Sequence, residues 1–126
     1  MKTIYSDDYS PPAPVLNITL AVPDQAPRVG PYSALIDTGA DGTFIPTAIL
    51  ERLTLSVIYT TIARVHIGGS RQQVSVYELD ILFDTNRLPN VEVVADDWGN
   101  EIILGRNFLN KLRLHLDGPK QITELK

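Results

Sequence analysis

The sequence predicts a mainly β domain, a small barrel or sandwich carrying two short helices. Three observations lead there. Short apolar runs alternate with a period of two, as in Leu16, Ile18, Leu20 and Val22. Turn formers recur at short intervals, at Asp24 to Pro31, Asp37 to Gly42, Gly68-Gly69, Asp84 to Leu88, Asp96 to Asn100 and Asp117-Gly118-Pro119. Only Thr47 to Leu53 and Arg106 to Leu112 space their apolar residues as a helix does.

Taken in order, residues 1–14 are polar and end in Pro11-Pro12-Ala13-Pro14, a composition expected of a flexible, extended arm. Residues 15–126 are then the single folded domain. Val15 to Val22 is a strand with one buried face, and Pro23 ends it. Asp24 to Pro31 holds prolines and a glycine and reads as a loop between hairpin strands. The next strand, Ser33-Ala34-Leu35-Ile36, delivers Asp37 at its end. Gly39 and Gly42 follow, where positive φ would let the chain bend sharply.

Thr43-Phe44-Ile45-Pro46 leaves that turn, and Thr47 is placed to cap a short helix reaching Leu53. Ile58 to Ile67 and Val74 to Phe83 are rich in β-branched and aromatic residues and flank Gly68-Gly69-Ser70-Arg71, the pattern of a hairpin. Its second strand slips phase between Val76 and Leu79, which predicts a bulge or bend there. Asn90 to Ala95 and the buried run Ile102-Ile103-Leu104 are strands. Gly105 then opens the second helix. Leu112, Leu114 and Leu116 alternate, and Gln121 to Leu125 pairs back as the last strand.

Composition narrows the function. A formal charge of −4 with no basic run leaves no electrostatic footprint for nucleic acid or an anionic membrane. The absence of Cys excludes disulfides, thiolate nucleophiles and cysteine-based zinc sites. His66 and His115 lie far apart in strand contexts without metal-ligand spacing, so a serine or metal hydrolase has no support. Nor does any apolar stretch reach membrane-spanning length or resemble a signal-peptide core, so a cytoplasmic location is expected.

The chemistry concentrates at Asp37-Thr38-Gly39. A carboxylate at the edge of a core is costly unless something stabilises it. One reading is an aspartate that caps its own turn; the other is a catalytic acid. The tripeptide alone leaves both open.

Four elements in sequence decide between them: Leu35-Ile36-Asp37-Thr38-Gly39-Ala40-Asp41, the strand-helix passage after it, the Gly68-Gly69 hairpin, and Ile103-Leu104-Gly105-Arg106-Asn107-Phe108-Leu109. In this order they resemble the retropepsins, the homodimeric aspartic proteases of retroviruses and their cellular and bacterial relatives. The resemblance implies a small closed β-barrel of the retropepsin (acid protease) type with one or two short helices. It implies Asp37, Thr38 and Gly39 as the catalytic loop, and Ala40, Asp41, Gly68, Gly69, Ile103 and Trp98 as substrate-binding residues, with Gly68-Gly69 at the tip of a flap between His66 and Arg71. It further implies Gly105, Arg106 and Asn107 as support for the site, Arg106 pairing with Asp41, and no metal or cofactor.

The chain contains a single Asp-Thr-Gly: Asp84-Thr85-Asn86 lacks the glycine and Asp117-Gly118 the hydroxyl. The second aspartate of the family's dyad must then come from an identical chain across a two-fold axis. The partners implied are a second copy and an extended polypeptide substrate. The alternative from another class is a homodimeric peptide-binding module of the same fold that does not cut. The sequence departs from the viral pattern at Gly42, which replaces a second acid, in a flap tip with fewer glycines, and in a chain that continues past the last helix.

Overall fold

The computed structural model describes residues 1–64 and 70–126. The hairpin tip at Gly68-Gly69, with His66, lies outside the described residues. The chain is mainly β, as the alternation predicts. Its strands are β1 (Lys2–Ile4), β2 (Val15–Ala21), β3 (Val29–Ile36), β4 (Thr43–Pro46), β5 (Tyr59–Arg64), β6 (Arg71–Phe83), β7 (Asn86–Asp96), β8 (Ile103–Leu104), β9 (Leu114–Asp117) and β10 (Ile122–Leu125). The two helices, α1 (Thr47–Leu50) and α2 (Arg106–Leu109), are each a single turn.

Seven strands hydrogen-bond in the order β2-β3-β8-β4-β7-β6-β5, and β2 also pairs with β6, which closes a ring and leaves β5 on the outside. Inside the ring lie Leu16, Ile18, Leu20, Ile45, Leu79, Ile81, Val93 and Leu104, all nearly inaccessible to water. Phe108 of α2 plugs one side, meeting Phe83 edge to face with ring centroids 5.4 Å apart, a favoured aromatic geometry. Two parallel pairings, β3 with β8 and β4 with β7, sit among antiparallel ones. They bring the ends of β3 and β8 side by side, which positions the site.

Several expectations change. Residues 1–14, read from composition as a weakly ordered arm, include β1, which pairs antiparallel with β10. Ser6 and Ala13 exchange both backbone hydrogen bonds, so the proline-rich turn between them is tied off. The partner strand is more than a hundred residues away in sequence, and composition is blind to it. β3 begins at Val29, inside the stretch read as loop, because Gly30 at φ 125° carries the chain through an irregularity opposite Ile18 and Leu20. A Cβ there would come within 3.0 Å of the Ile18 carbonyl oxygen. Gly30 is the one glycine with positive φ among the described residues; Gly39 and Gly42 are not in that region. Thr47 does not cap α1: its hydroxyl donates to Asp97 across the turn.

The phase slip along β6 is present but has another cause. Val74 and Val76 are buried where β6 runs beside β5, and Leu79, Ile81 and Phe83 where it has joined β2, so the strand changes its buried face as it changes neighbours. The ladder irregularity lies further on, where Leu79 faces Val91 but Ile81 faces Leu88. The extra residue belongs to β7, at Pro89-Asn90, a position where a missing N–H costs little and where Asn90 takes φ 53°. The turn expected over Asp84 to Leu88 shrinks to Asp84-Thr85, since Asn86 already pairs with Phe83.

Asp80 sits opposite this bulge with its side chain 1% exposed. Burial alone would raise its pKa; the N–H groups of Asn90 and Asp24 and the Arg87 guanidinium, 2.8 Å away through Nε, outweigh burial and hold it below the usual aspartate value. A carboxyl whose folded pKa is depressed stabilises the fold above its unfolded pKa, and that contribution fades as pH falls through the folded value. Asp80→Asn is therefore expected to cost about 3 kcal/mol at neutral pH, as for one member of a buried ion pair. The gap from the native chain should narrow below about pH 4. Urea unfolding of both proteins at neutral and acid pH reads this directly.

Candidate active site

Asp37 follows β3, and its place is set by backbone bonds on both sides. Leu35 N–H donates to the Ile102 carbonyl at 2.9 Å and Asp37 N–H to that of Leu104 at 3.1 Å, so β8 holds the end of β3 in register. The chain then turns tightly, with Ala40 N–H donating to the Asp37 carbonyl. Gly39 N–H donates to Asp37 Oδ1 at 2.9 Å, which fixes the carboxylate against its own loop. A Cβ on Gly39 would lie 3.1 Å from that oxygen, so the need for glycine here is close approach to the carboxylate.

The loop after Asp37 rests on the start of α2. Arg106 N–H donates to the Ala40 carbonyl at 2.8 Å, and Asn107 N–H to that of Asp41 at 3.3 Å. Gly105 is buried where these backbones touch: a Cβ on it would stand 2.0 Å from the Gly42 carbonyl oxygen. The Thr43 hydroxyl donates to Asn107 Oδ1 at 2.8 Å and accepts from Gly105 N–H at 3.2 Å. The Asn107 amide in turn donates to the Glu92 carbonyl at 2.9 Å, tying the site to β7.

Arg106 closes the arrangement. One guanidinium nitrogen donates to the Thr38 carbonyl at 2.8 Å and another to the Asp41 carboxylate, so a single side chain holds both ends of the loop. The sequence-based pairing of Arg106 with Asp41 is present. Both partners are largely solvated, so the ion pair adds at most about 1 kcal/mol of stability. Its planar fork matters for geometry.

Over this loop lies a cleft of about 960 Å³, lined by Asp37, Gly39, Ala40 and Asp41 on its floor, by Phe44, Ile103 and Glu101 beside them, and by Ile62, Ala63 and Arg71 from the β5–β6 hairpin. Of the residues singled out in the sequence, Asp37, Gly39, Ala40, Asp41 and Ile103 line it, while Gly105, Arg106 and Asn107 brace it from below. Thr38 is exposed at the loop tip. Trp98 stands apart: it is 51% exposed in the loop after β7, its N–H bonded to Asp96, and it does not line the cleft. Sequence reasoning missed Glu101 and Phe44. Both flank motif residues, and no residue-type signal marked them.

Three carboxylates face the cleft. Asp41 is engaged by Arg106 and Glu101 by the Tyr9 hydroxyl. Asp37, half-buried, is held by the N–H of its own loop and points into the cleft without a cationic partner among the described residues.

The model of a family described as "gag-polyprotein putative aspartyl protease" matches residues 29–111. No match was found among curated proteins. In fold the chain is similar to a retropepsin-like aspartic protease from Rickettsia conorii, with TM-score 0.68 and 12% identity over 99% of this chain and 88% of that one. It is also similar to EIAV protease complexed with the inhibitor HBY-793, with TM-score 0.60 and 21% identity over 86% of this chain and 93% of that one. The foamy viral protease-reverse transcriptase in complex with an RNA/DNA hybrid matches at TM-score 0.53 and 18% identity, over 78% of this chain and 12% of that longer one.

Proposed function

This chain belongs to the gag-type aspartyl protease family, and from that premise we propose that it is an aspartic endopeptidase, cutting peptide bonds with Asp37 and the Asp37 of a second copy. The observation that carries the reading is the place of Asp37: its carboxylate lines the floor of the cleft on a loop that Arg106 braces, and no cation pairs with it among the described residues. One such group cannot be both base and acid in the same step. Two brought together across a two-fold axis can, because like charges that close share a proton instead of both ionising.

The reaction follows from that shared proton. An extended peptide lies in the cleft with its scissile carbonyl over the pair. The ionised carboxylate takes a proton from a water molecule, whose oxygen attacks the carbonyl carbon, while the protonated carboxyl hydrogen-bonds the carbonyl oxygen and passes its proton to it. A neutral tetrahedral diol forms with no covalent bond to the enzyme. On its collapse the protonated carboxyl gives its proton to the nitrogen as the C–N bond breaks, a diol hydroxyl gives its proton to the ionised carboxylate as the product carbonyl re-forms, and the pair again holds one proton. Gly39 N–H on Asp37 Oδ1 holds the carboxylate in place. Ile62 and Ala63 would close over the substrate from the hairpin.

The test is cleavage of an unstructured peptide library at mildly acid pH, with a statine-type inhibitor alongside and the solution mass measured across protein concentrations. Inhibitor-sensitive cleavage that tracks the dimer fraction supports the proposal. Peptide binding without turnover would favour the non-catalytic module.

Arg106→Lys separates positioning from stability. An ammonium group cannot reach the Thr38 carbonyl and Asp41 in parallel as the guanidinium does. Thermal unfolding should shift little, while kcat falls about tenfold because the loop carrying Asp37 is no longer held at both ends. Equal losses in stability and activity would reduce Arg106 to a packing role.

A further inference from the structure

Glu101 stands in the wall between two cavities. It lines the cleft with Asp37, and it also lines a second cavity of about 380 Å³ bounded by Ser6, Tyr9, Tyr32 and Asn100. The segment between Ser6 and Ala13 thereby reaches the edge of the cleft, and its contact is specific: the Tyr9 hydroxyl donates to Glu101 Oε2. Burial first, and then this carboxylate, push the Tyr9 hydroxyl up to about 12, so it stays a donor at every working pH.

That bond orients the carboxylate through one of its two oxygens. Oε1 accepts no hydrogen bond and no cation pairs with Glu101 among the described residues. Arg71 enters the same cleft from β6, but no ion pair joins it to Glu101. Glu101 is three residues before Leu104, whose carbonyl holds Asp37 N–H, and it lines the same cleft as Asp37. A negative charge so placed in a half-buried wall favours a cationic side chain and disfavours an anionic one.

We propose that Glu101 is a specificity-determining residue of the cleft, selecting peptides with a lysine or arginine side chain close to the scissile bond, and that Tyr9 positions it. The inference rests on the reading of the cleft as a peptide site. Phe44 and Ile103 supply apolar contact beside it, so the preferred segment is apolar with one cation.

The test uses the full chain and apolar peptides of about ten residues in which one lysine, leucine or glutamate is walked along the sequence. Binding is measured by fluorescence anisotropy with Asp37→Asn, alone and combined with changes at Glu101 or Tyr9, and cleavage by mass spectrometry with the native chain. At its best position the lysine peptide should bind about tenfold tighter than its leucine counterpart, and the glutamate peptide weaker than both. The lysine-to-leucine ratio should fall to near one with Glu101→Gln and favour glutamate with Glu101→Arg. With Tyr9→Phe it should take an intermediate value, a change in ratio that a merely structural role for the hydroxyl would not produce. Lysine peptides that bind no tighter than leucine ones, or a ratio untouched by Glu101→Gln, overturn the inference. Selective binding with no cleavage leaves it standing and sinks the hydrolytic reading, and unselective cleavage does the reverse.

Discussion

Asp37→Asn is expected to lower peptide cleavage by at least about 1,000-fold while the protein remains folded. Asparagine has the same shape, and its carbonyl oxygen can still accept the Gly39 N–H that Asp37 Oδ1 accepts at 2.9 Å. What disappears is the exchangeable proton, and with it both the base that deprotonates water and the acid that protonates the leaving nitrogen. Unfolding temperature and solution mass should therefore stay with the native values while turnover vanishes. A mixing experiment sharpens this. If each chain supplies half of the dyad, native protein equilibrated with an equal amount of the variant should retain on the order of one quarter of the activity of an all-native sample at the same total concentration, the fraction of random pairs that are native in both halves. Half the activity would mean each chain works alone. Substantial turnover by the variant itself would remove Asp37 from the chemistry.

Gly105→Ala is expected to be the most damaging single-methyl change, costing about 3–5 kcal/mol or preventing folding. The added carbon would sit 2.0 Å from the Gly42 carbonyl oxygen, 2.5 Å from its carbon and 3.0 Å from the Ala40 carbonyl oxygen. All three are backbone atoms with no rotamer to escape into, so the loop of residues 40–42 must lift off α2. In doing so it strains the bonds from Arg106 N–H to Ala40 and from Gly105 N–H to the Thr43 hydroxyl. Each buried bond lost adds about 1 kcal/mol. Gly118→Ala is the control, since a Cβ there meets nothing within 4 Å, and its effect should stay within about 0.5 kcal/mol. Urea unfolding of the two variants compares them. Equal stabilities would show that the loop is not braced by α2 as described.

The strands and the strand-end position of Asp37 were legible because their signals are local. Alternation in Leu16, Ile18, Leu20 and Val22 requires no knowledge of the neighbour, only that one face is buried and the other wet. Asp37-Thr38-Gly39 and Gly105-Arg106-Asn107 were read as partners through their resemblance to the blocks of the retropepsins. The cleft walls were harder. Glu101 looks like any surface acid in a polar loop, and only the parallel pairing of β3 with β8 brings it into the same cleft as Asp37. Trp98 carried the more conspicuous side chain and lies outside the cleft. The role given to glycine also shifted: Gly39 and Gly105 serve close approach, while the positive φ belongs to Gly30.

By itself the sequence determined a mainly β chain and the position of Asp37 at a strand end, since these follow from periodicity and residue chemistry within a few positions; the pairing of Arg106 with Asp41, 65 residues apart, was expected only from the resemblance to the retropepsins. The tertiary structure alone decided that Lys2–Ile4 is a strand, that Asp80 is a buried and bonded carboxylate, and that Tyr9 reaches Glu101 at the edge of the cleft. Each of those depends on a partner between 7 and about 120 residues away, which no local pattern encodes. Only a closed ring of hydrogen-bonded strands brings such partners within reach.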